Sequence, residues 1–273
     1  MRVNPNHQLI LDRFITACQT DDRIAAVLLL GSYVKGMADE HSDLDLYVIT
    51  TDEGYEDCTA NRSAFVESLG EPLFAENFDI PDFVFLIFAD GSEVEISFAR
   101  ESQLSQVLSA SYKVLLDKRN ITAYISLHTP TVDPEAQTEK LRRLIHWFWH
   151  ELSHFTTALA RKELWWAQGQ LGALRLCCIN LTRLESDFFD QEIGEEGYFK
   201  IEKAIPIQRL SALNSTYCPM EEGAMLESAF IIVQFFRDLA PGLASKHGIN
   251  YPEQLDKVIV QKLGNVKRLN TNG

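Results

Sequence analysis

The sequence predicts an α+β protein with two domains: a mixed-sheet domain over residues 1–130 and an all-α helical-bundle domain over residues 131–273. Two observations support this division. In the first half, short apolar runs of strand length alternate with segments of helical spacing, whereas nearly all of the second half has the helical period. Residues 127–135, which include Pro130 and Pro134, separate the two patterns and are interpreted as a linker.

Apolar runs and polar turns define the elements of the first domain. The turn Asp90-Gly91-Ser92 between two alternating segments is typical of a β-hairpin. Strands are predicted at residues 24–30, 44–50, 83–88, 93–98 and 112–118. Helices are predicted over residues 7–20 and 55–69, with a further helix that ends at Leu108. Residues 31–42 are predicted to form a loop with room for one helical turn.

The second domain is predicted to consist of long helices. Apolar residues recur three and four positions apart, as expected for helices that bury one face. These helices are expected at residues 136–160, 164–187, 221–241 and 252–263. Residues 194–219 have a less regular pattern and are left without an assignment.

Composition limits the partners and the compartment. The 39 acidic residues outnumber the 25 basic ones, and the net charge of −14 disfavours a nucleic-acid partner, because binding phosphates requires a basic surface. It favours a cationic small molecule. Five cysteines without a C-x-x-C pair indicate reduced thiols and a cytoplasmic protein. No segment has the roughly 18 consecutive apolar residues of a membrane span, and we expect no secretion signal at the N-terminus and no membrane partner.

The motif between Gly31 and Asp45, GSYVKGMADEHSDLD, carries the chemistry of the first domain. Asp43 and Asp45 are two residues apart on a strand, so their side chains share one face, and divalent cations relieve their repulsion. Gly31 and Ser32 leave a buried strand, where backbone N–H groups and a hydroxyl can hold a phosphate. Lys35 is placed to reach the same phosphate as a point charge. The pattern therefore predicts two-metal phosphoryl or nucleotidyl transfer.

A third carboxylate is expected from the strand at residues 93–98, which carries two acids on one face. Glu95 is favoured because it lies between the apolar residues Val94 and Ile96, whereas Glu93 adjoins the turn. Glu95 is therefore predicted to be a metal ligand or the general base, and Glu93 is kept as the alternative.

The spacing of these residues resembles the nucleotidyltransferase signature of the DNA polymerase β superfamily, G-S-x-x-x-G-x-x-x-x-x-S-D-x-D. The order of a sheet domain and a helical domain resembles the aminoglycoside and lincosamide nucleotidyltransferases of that superfamily. The resemblance implies that two Mg²⁺ ions bind at Asp43 and Asp45, with Glu95 as the third metal ligand or the general base. It implies that a nucleoside triphosphate, with ATP as the expected donor, binds at Gly31, Ser32, Lys35 and Ser42.

A second motif, His150-Glu151-Leu152-Ser153-His154, matches the H-E-x-x-H helix of zinc hydrolases. Three fixed positions make a weak pattern, and a distant third zinc ligand is not identifiable, so a zinc hydrolase is a remote alternative. In the transferase interpretation, the face with Trp147, His150, Glu151 and His154 contacts the acceptor in a cleft between the domains. Glu151 is then another candidate for the general base.

The sequence thus predicts a Mg²⁺-dependent nucleotidyltransferase that moves AMP from ATP to a hydroxyl of a small molecule. The expected acceptor is an antibiotic, either an aminoglycoside, which is polycationic, or a lincosamide. The alternatives are a protein or an unknown metabolite as the acceptor, and a non-catalytic nucleotide sensor.

Overall fold

A computed structural model of the chain describes residues 4–104, 111–125, 133–185, 197–198 and 201–270. The chain divides into two compact units, Met1–Pro130 and Thr131–Gly273. The first unit holds a mixed sheet, and the regular elements described in the second unit are helices, so the predicted α+β class is confirmed. Within these described ranges, no helix has both the length and the apolar character needed to span a bilayer.

The sheet of the first unit has six strands among the described residues. They are β1 (Ile24–Leu29), β2 (Leu44–Thr50), β3 (Phe74–Glu76), β4 (Phe83–Ile87), β5 (Glu93–Arg100) and β6 (Lys113–Asp117). Their order across the sheet is β3-β4-β5-β2-β1-β6. The β2–β5 pair is parallel and the other pairs are antiparallel. A parallel pair needs a long connection, and here the chain between β2 and β5 contains two helices and the β3–β4 hairpin.

The described α-helices of the first unit contribute to an apolar cluster on one face of the sheet. They are α1 (Asn6–Thr20), α2 (Gly31–Val34), α3 (Tyr55–Ala60) and α4 (Arg62–Leu69). Phe14 of α1 and Phe65 of α4 are buried in one apolar cluster with Leu46 of β2. Because strand side chains alternate, Asp45 and the polar residues in register with it lie on the opposite face.

The second unit is built from helices around one apolar core. The helices are α5 (Pro134–Ala160), α6 (Leu164–Glu185), α7 (Ile201–Ala204), α8 (Ile207–Asn214), α9 (Glu222–Lys246) and α10 (Glu253–Asn270). Asp133 caps α5 by accepting a hydrogen bond from the Glu135 N–H at 2.9 Å, and Pro134 occupies the first turn. In the core, the rings of Phe148 and Phe236 stack with centroids 3.6 Å apart.

Several elements differ from the sequence-based expectation. The helix expected over residues 55–69 is two helices, with a break at Asn61. The short strand β3 was not predicted. Helix α9 continues past Pro241 to Lys246, because Leu243 and Ala244 extend its buried face, and α10 extends beyond residue 263 to Asn270. The expected helix end at Leu108 lies outside the described residues.

Candidate active site

The end of β1 brings the Asp45 carboxylate against Gly31. The Leu30 N–H donates to the Asp45 carbonyl oxygen at 2.9 Å, which continues the β1–β2 pairing beyond the last residue of β1. Gly31 has a φ of +64°, and a Cβ built on it would lie 1.7 Å from Oδ2 of Asp45. The carboxylate therefore fills the space that a side chain would need. Glycine is required here for the backbone conformation and for the position of Asp45.

The hydroxyl of Ser32 is buried beside this contact. Its Oγ atom has no hydrogen-bond partner among the described residues. Leaving a buried polar atom without a hydrogen bond costs about 1–3 kcal/mol of folding free energy. A bound ligand that supplies the missing hydrogen bond removes this cost, which explains why such an atom is found in a native protein. A phosphate oxygen can accept this hydrogen bond. Lys35, at the C-terminal end of α2, adds a positive charge to the same turn.

Ser42 shapes the loop that leads into Asp43. Its Oγ accepts a hydrogen bond from the Asp39 N–H at 2.9 Å and lies 3.2 Å from Asp39 Oδ1. Asp43 follows this turn and directly precedes β2, and alternation along the chain gives Asp43 and Asp45 the same side. The contacts of Ser42 are thus with the loop, and its predicted contact with the nucleotide stays a prediction.

Glu95 is the acid that the sheet places next to Asp45. The two residues are partners in the parallel register of β2 and β5, and both are half-buried. Val94 and Ile96, on either side of Glu95, are fully buried in the opposite face. Glu93 is the exposed first residue of β5. Register therefore favours Glu95 over Glu93 as the third acid of the site.

The carboxylates Asp43, Asp45 and Glu95 have the hard oxygen ligands that Mg²⁺ prefers. No group of three or more His, Cys, Asp or Glu side chains in the described ranges is arranged to hold a metal ion. Mg²⁺ is commonly bound by one or two carboxylates and by substrate phosphates. The chemistry of these acids fits this type of site.

His7, which the sequence analysis missed, contacts helix α2 through Tyr33. It is 1% exposed, and its Nδ1 contacts the hydroxyl of Tyr33. Burial lowers the pKa of His7, and the charges of Asp90 and Asp43 oppose this shift. Burial and the charge of Asp43 raise the pKa of Tyr33. The contact joins residues 26 positions apart, so no local sequence pattern indicates it.

The H-E-x-x-H residues form an aromatic and imidazole cluster on α5. Trp147 stacks on His150 with ring centroids 5.0 Å apart, and the rings of His150 and His154 are 4.4 Å apart. Glu151 is buried, and its Oε1 lies 2.7 Å from His150 Nδ1. With the Gln170 amide oriented to satisfy both of its ends, its nitrogen donates to Glu151 Oε2. Both carboxylate oxygens of Glu151 therefore contact neighbouring side chains.

Solved structures with similar chains include an aminoglycoside 6-adenyltransferase from Bacillus subtilis. It is 18% identical, with 98% of this chain and 99% of that chain covered and a TM-score of 0.47. A STING-associated CdnE c-di-GMP synthase from Capnocytophaga granulosa is 14% identical, with 97% and 81% covered and a TM-score of 0.31. A CdnE cyclic dinucleotide synthase from Elizabethkingia meningoseptica is 12% identical, with 97% and 92% covered and a TM-score of 0.30.

The chain also matches a protein-family model. No curated protein matches the chain. The family model described as streptomycin adenylyltransferase matches residues 4–266, which include the Gly31–Asp45 motif, β5 and nearly all of the helical unit. The chain therefore belongs to the streptomycin adenylyltransferase family and is a nucleotidyltransferase.

Proposed function

We propose that the protein is a Mg²⁺-dependent adenylyltransferase that transfers AMP from ATP to a hydroxyl of a small cationic acceptor, with the aminoglycosides as the first class to test. The observation that carries this proposal is the contact of the Asp45 carboxylate with Gly31, directly before the buried hydroxyl of Ser32. In this proposal, Asp45 is a ligand for a cation and the neighbouring Ser32 hydroxyl is a ligand for a phosphate. The family description supports the adenylyl group and the acceptor class, and the net charge of −14 favours a cationic acceptor.

The Gly31–Lys35 turn is proposed to hold the triphosphate. The Ser32 hydroxyl donates to a phosphate oxygen, which satisfies the atom that lacks a partner among the described residues. The Lys35 ammonium adds charge compensation. Gly31, which has no side chain, leaves room for the Asp45 carboxylate at the edge of the proposed phosphate site.

The acids are proposed to align the reaction. Asp43 and Asp45 would hold Mg²⁺, which, when bound, would neutralise charge on the α-phosphate and on the departing pyrophosphate. The Glu95 carboxylate takes the proton of the acceptor hydroxyl. The hydroxyl oxygen forms a bond to the α-phosphorus, and the bond from that phosphorus to the bridging oxygen of the pyrophosphate breaks. Positioning and electrostatics supply most of the acceleration in such transfers.

Trp147, His150 and His154 remain proposed contacts for the acceptor. Trp147 is 54% exposed and offers an aromatic surface stacked on His150. Glu151 is buried and contacts His150 and Gln170, so we assign it the positioning of His150 and leave the general-base role to Glu95.

The test is acceptor-dependent release of pyrophosphate. The purified protein is incubated with Mg²⁺ and each of the four nucleoside triphosphates, with streptomycin, other aminoglycosides or a lincosamide, and without acceptor. We expect release with ATP only when an acceptor is present, and a product heavier than the acceptor by one AMP unit. Asp43→Asn and Asp45→Asn should each lower the rate by at least about 100-fold. Asp22→Asn, the same change at an exposed position, serves as the matched control.

Other results would contradict parts of the proposal. Near-wild-type transfer by Asp45→Asn would remove the assigned acid site. Binding of ATP without any transfer would favour a nucleotide sensor, and transfer to the lincosamide alone would change the acceptor class. Activity that depends on zinc and is lost with His154→Ala, with no pyrophosphate released, would favour a hydrolase.

A further inference from the structure

The face of the sheet that carries the acids continues into an exposed cluster of three phenylalanines. Phe74, Phe78 and Phe85, here called the aromatic platform, have ring centroids 6.2, 6.2 and 6.4 Å apart in their three pairings. Phe74 is 41% exposed and Phe78 is 56% exposed. Large apolar side chains grouped at a surface commonly mark a binding site.

Strand register connects the aromatic platform to the acids. Glu76 pairs with Phe85, Phe85 pairs with Glu95, and Glu95 pairs with Asp45, so these four residues form one row across the sheet. Neighbouring strands are about 4.8 Å apart. Phe85 therefore lies one strand from Glu95 and about 10 Å from Asp45. This is the length of a small molecule with one or two rings.

The turn that carries Phe78 is held in a strained conformation. Phe78 has a φ of 51° and Asp79 a φ of 61°, which is unfavourable for residues other than glycine. Glu76 Oε1 fixes the turn by accepting hydrogen bonds from the N–H groups of Asn77 at 2.8 Å and Phe78 at 3.2 Å. Strained residues persist where their surroundings enforce them, and they are concentrated at ligand sites. Here the enforced conformation places the Phe78 ring beside the other two rings of the platform.

We infer that the aromatic platform binds the ring system of the acceptor, and that the exposed carboxylates of Glu76 and Glu93 attract its amino groups. This inference rests on the proposed function. The acids lie between the platform and the Gly31–Lys35 turn. Glu95 therefore separates a molecule bound on the platform from the nucleotide, which is the position that the acceptor must occupy. A hydroxyl at that position can give its proton to Glu95 and approach the α-phosphorus. Aromatic faces and carboxylates together favour a cationic, ring-containing ligand.

The test compares substitutions in the platform with a substitution at a nearby residue outside it. Phe78→Gly removes a ring and lets the residue adopt a positive φ without strain. Phe85→Leu removes a ring but keeps an apolar side chain in the strand. Leu73→Ala is the matched control, because Leu73 is 75% exposed and alternates with Phe74, so it lies away from the platform. Steady-state KM values for ATP and for the acceptor, streptomycin binding by calorimetry without ATP, and melting temperatures are measured for each protein.

We expect Phe78→Gly and Phe85→Leu to raise the acceptor KM and the streptomycin dissociation constant by about tenfold. The KM for ATP should stay unchanged in both. Phe78→Gly should also melt at or above the wild-type temperature, because a strained residue has been replaced by one that tolerates the turn. Leu73→Ala should keep the wild-type acceptor KM.

Failure of this inference and failure of the proposed function give different results. A wild-type protein that adenylylates an aminoglycoside, with Phe78→Gly and Phe85→Leu variants that keep its acceptor KM, would overturn the platform and leave the proposed function intact. A wild-type protein that transfers AMP to no member of the panel would overturn the proposed function and, with it, this inference. An equal rise of KM in Leu73→Ala would also overturn the platform, because the effect would then be a general one of the edge strand.

Discussion

Replacing Gly31 by alanine tests whether the acid site depends on the close contact with Asp45. With a φ of +64°, position 31 is unfavourable for an L-residue, which costs about 1–2 kcal/mol. The new Cβ would lie 1.7 Å from Oδ2 of Asp45, whereas real Cβ contacts remain above 3.0 Å. The carboxylate must therefore move by more than about 1 Å.

This displacement should affect activity more than stability. The Asp45 carboxylate is the end of a side chain and can turn away from the new methyl group, so the stability loss should be close to the backbone strain alone. For a unit of this size, 1–2 kcal/mol lowers the melting temperature by about 4–8 °C. A shift of about 1 Å in a reacting group can reduce the rate by about 100-fold. We therefore expect at least this loss in kcat for pyrophosphate release.

Gly36→Ala provides the matched control. Gly36 has a φ of +68°, but nothing lies within 4 Å of a Cβ built on it. The two variants thus share the backbone strain and differ in the contact with Asp45. We expect similar melting temperatures and at least about a tenfold lower kcat for Gly31→Ala than for Gly36→Ala. Equal kcat values in the two variants would refute the reasoning.

Three further changes test other residues of the site. Ser32→Ala should raise the KM for ATP about tenfold without lowering the melting temperature, because the hydroxyl is buried without a partner in the described part of the chain; a lower melting temperature with an unchanged KM would contradict the phosphate contact. Glu95→Gln should lower kcat at least about 100-fold, whereas Glu93→Gln should act on the acceptor KM and change kcat by less than about threefold; the opposite result in a rate assay would exchange their roles. His7 has a pKa below its ordinary value of 6.5 because of burial, so below about pH 6.5 the unfolded state takes up a proton that the folded state does not, and stability falls as the pH falls. His7→Phe should therefore flatten the dependence of urea-unfolding free energy on pH between about 5 and 6.5, and identical slopes in the two proteins would show that His7 does not contribute.

Local pattern was sufficient to predict the elements that carry the acids. The strand expected at residues 44–50 is β2, Leu44–Thr50, an apolar run that is buried at every position except Asp45. Gly91 adopts a φ of +81° in the predicted hairpin turn, since that conformation favours glycine. The preference for Glu95 over Glu93 followed from its two apolar neighbours, and these are fully buried in the sheet.

Long-range contacts could not be predicted in the same way. The pairing of Asp45 with Glu95 depends on the parallel register of two strands that are distant in the chain. The contact of His7 with Tyr33 likewise depends on the tertiary fold. Strand β3 has only three residues, all exposed, so it has no alternation of buried and polar positions. Helix α9 passes Pro241 because packing of its buried face outweighs the usual effect of proline.

The direct pairing of β2 with β5 holds the proposed nucleotide-transfer acids together independently of the connection between these strands, which carries the proposed acceptor site. Residues 51–92 connect β2 to β5, and they contain α3, α4 and the β3–β4 hairpin, whose two strands extend the sheet beyond β5. With the aromatic platform as the proposed acceptor site, substitutions in this connection alter which molecule is modified, while the β2–β5 pairing that aligns Asp45 with Glu95 stays in place.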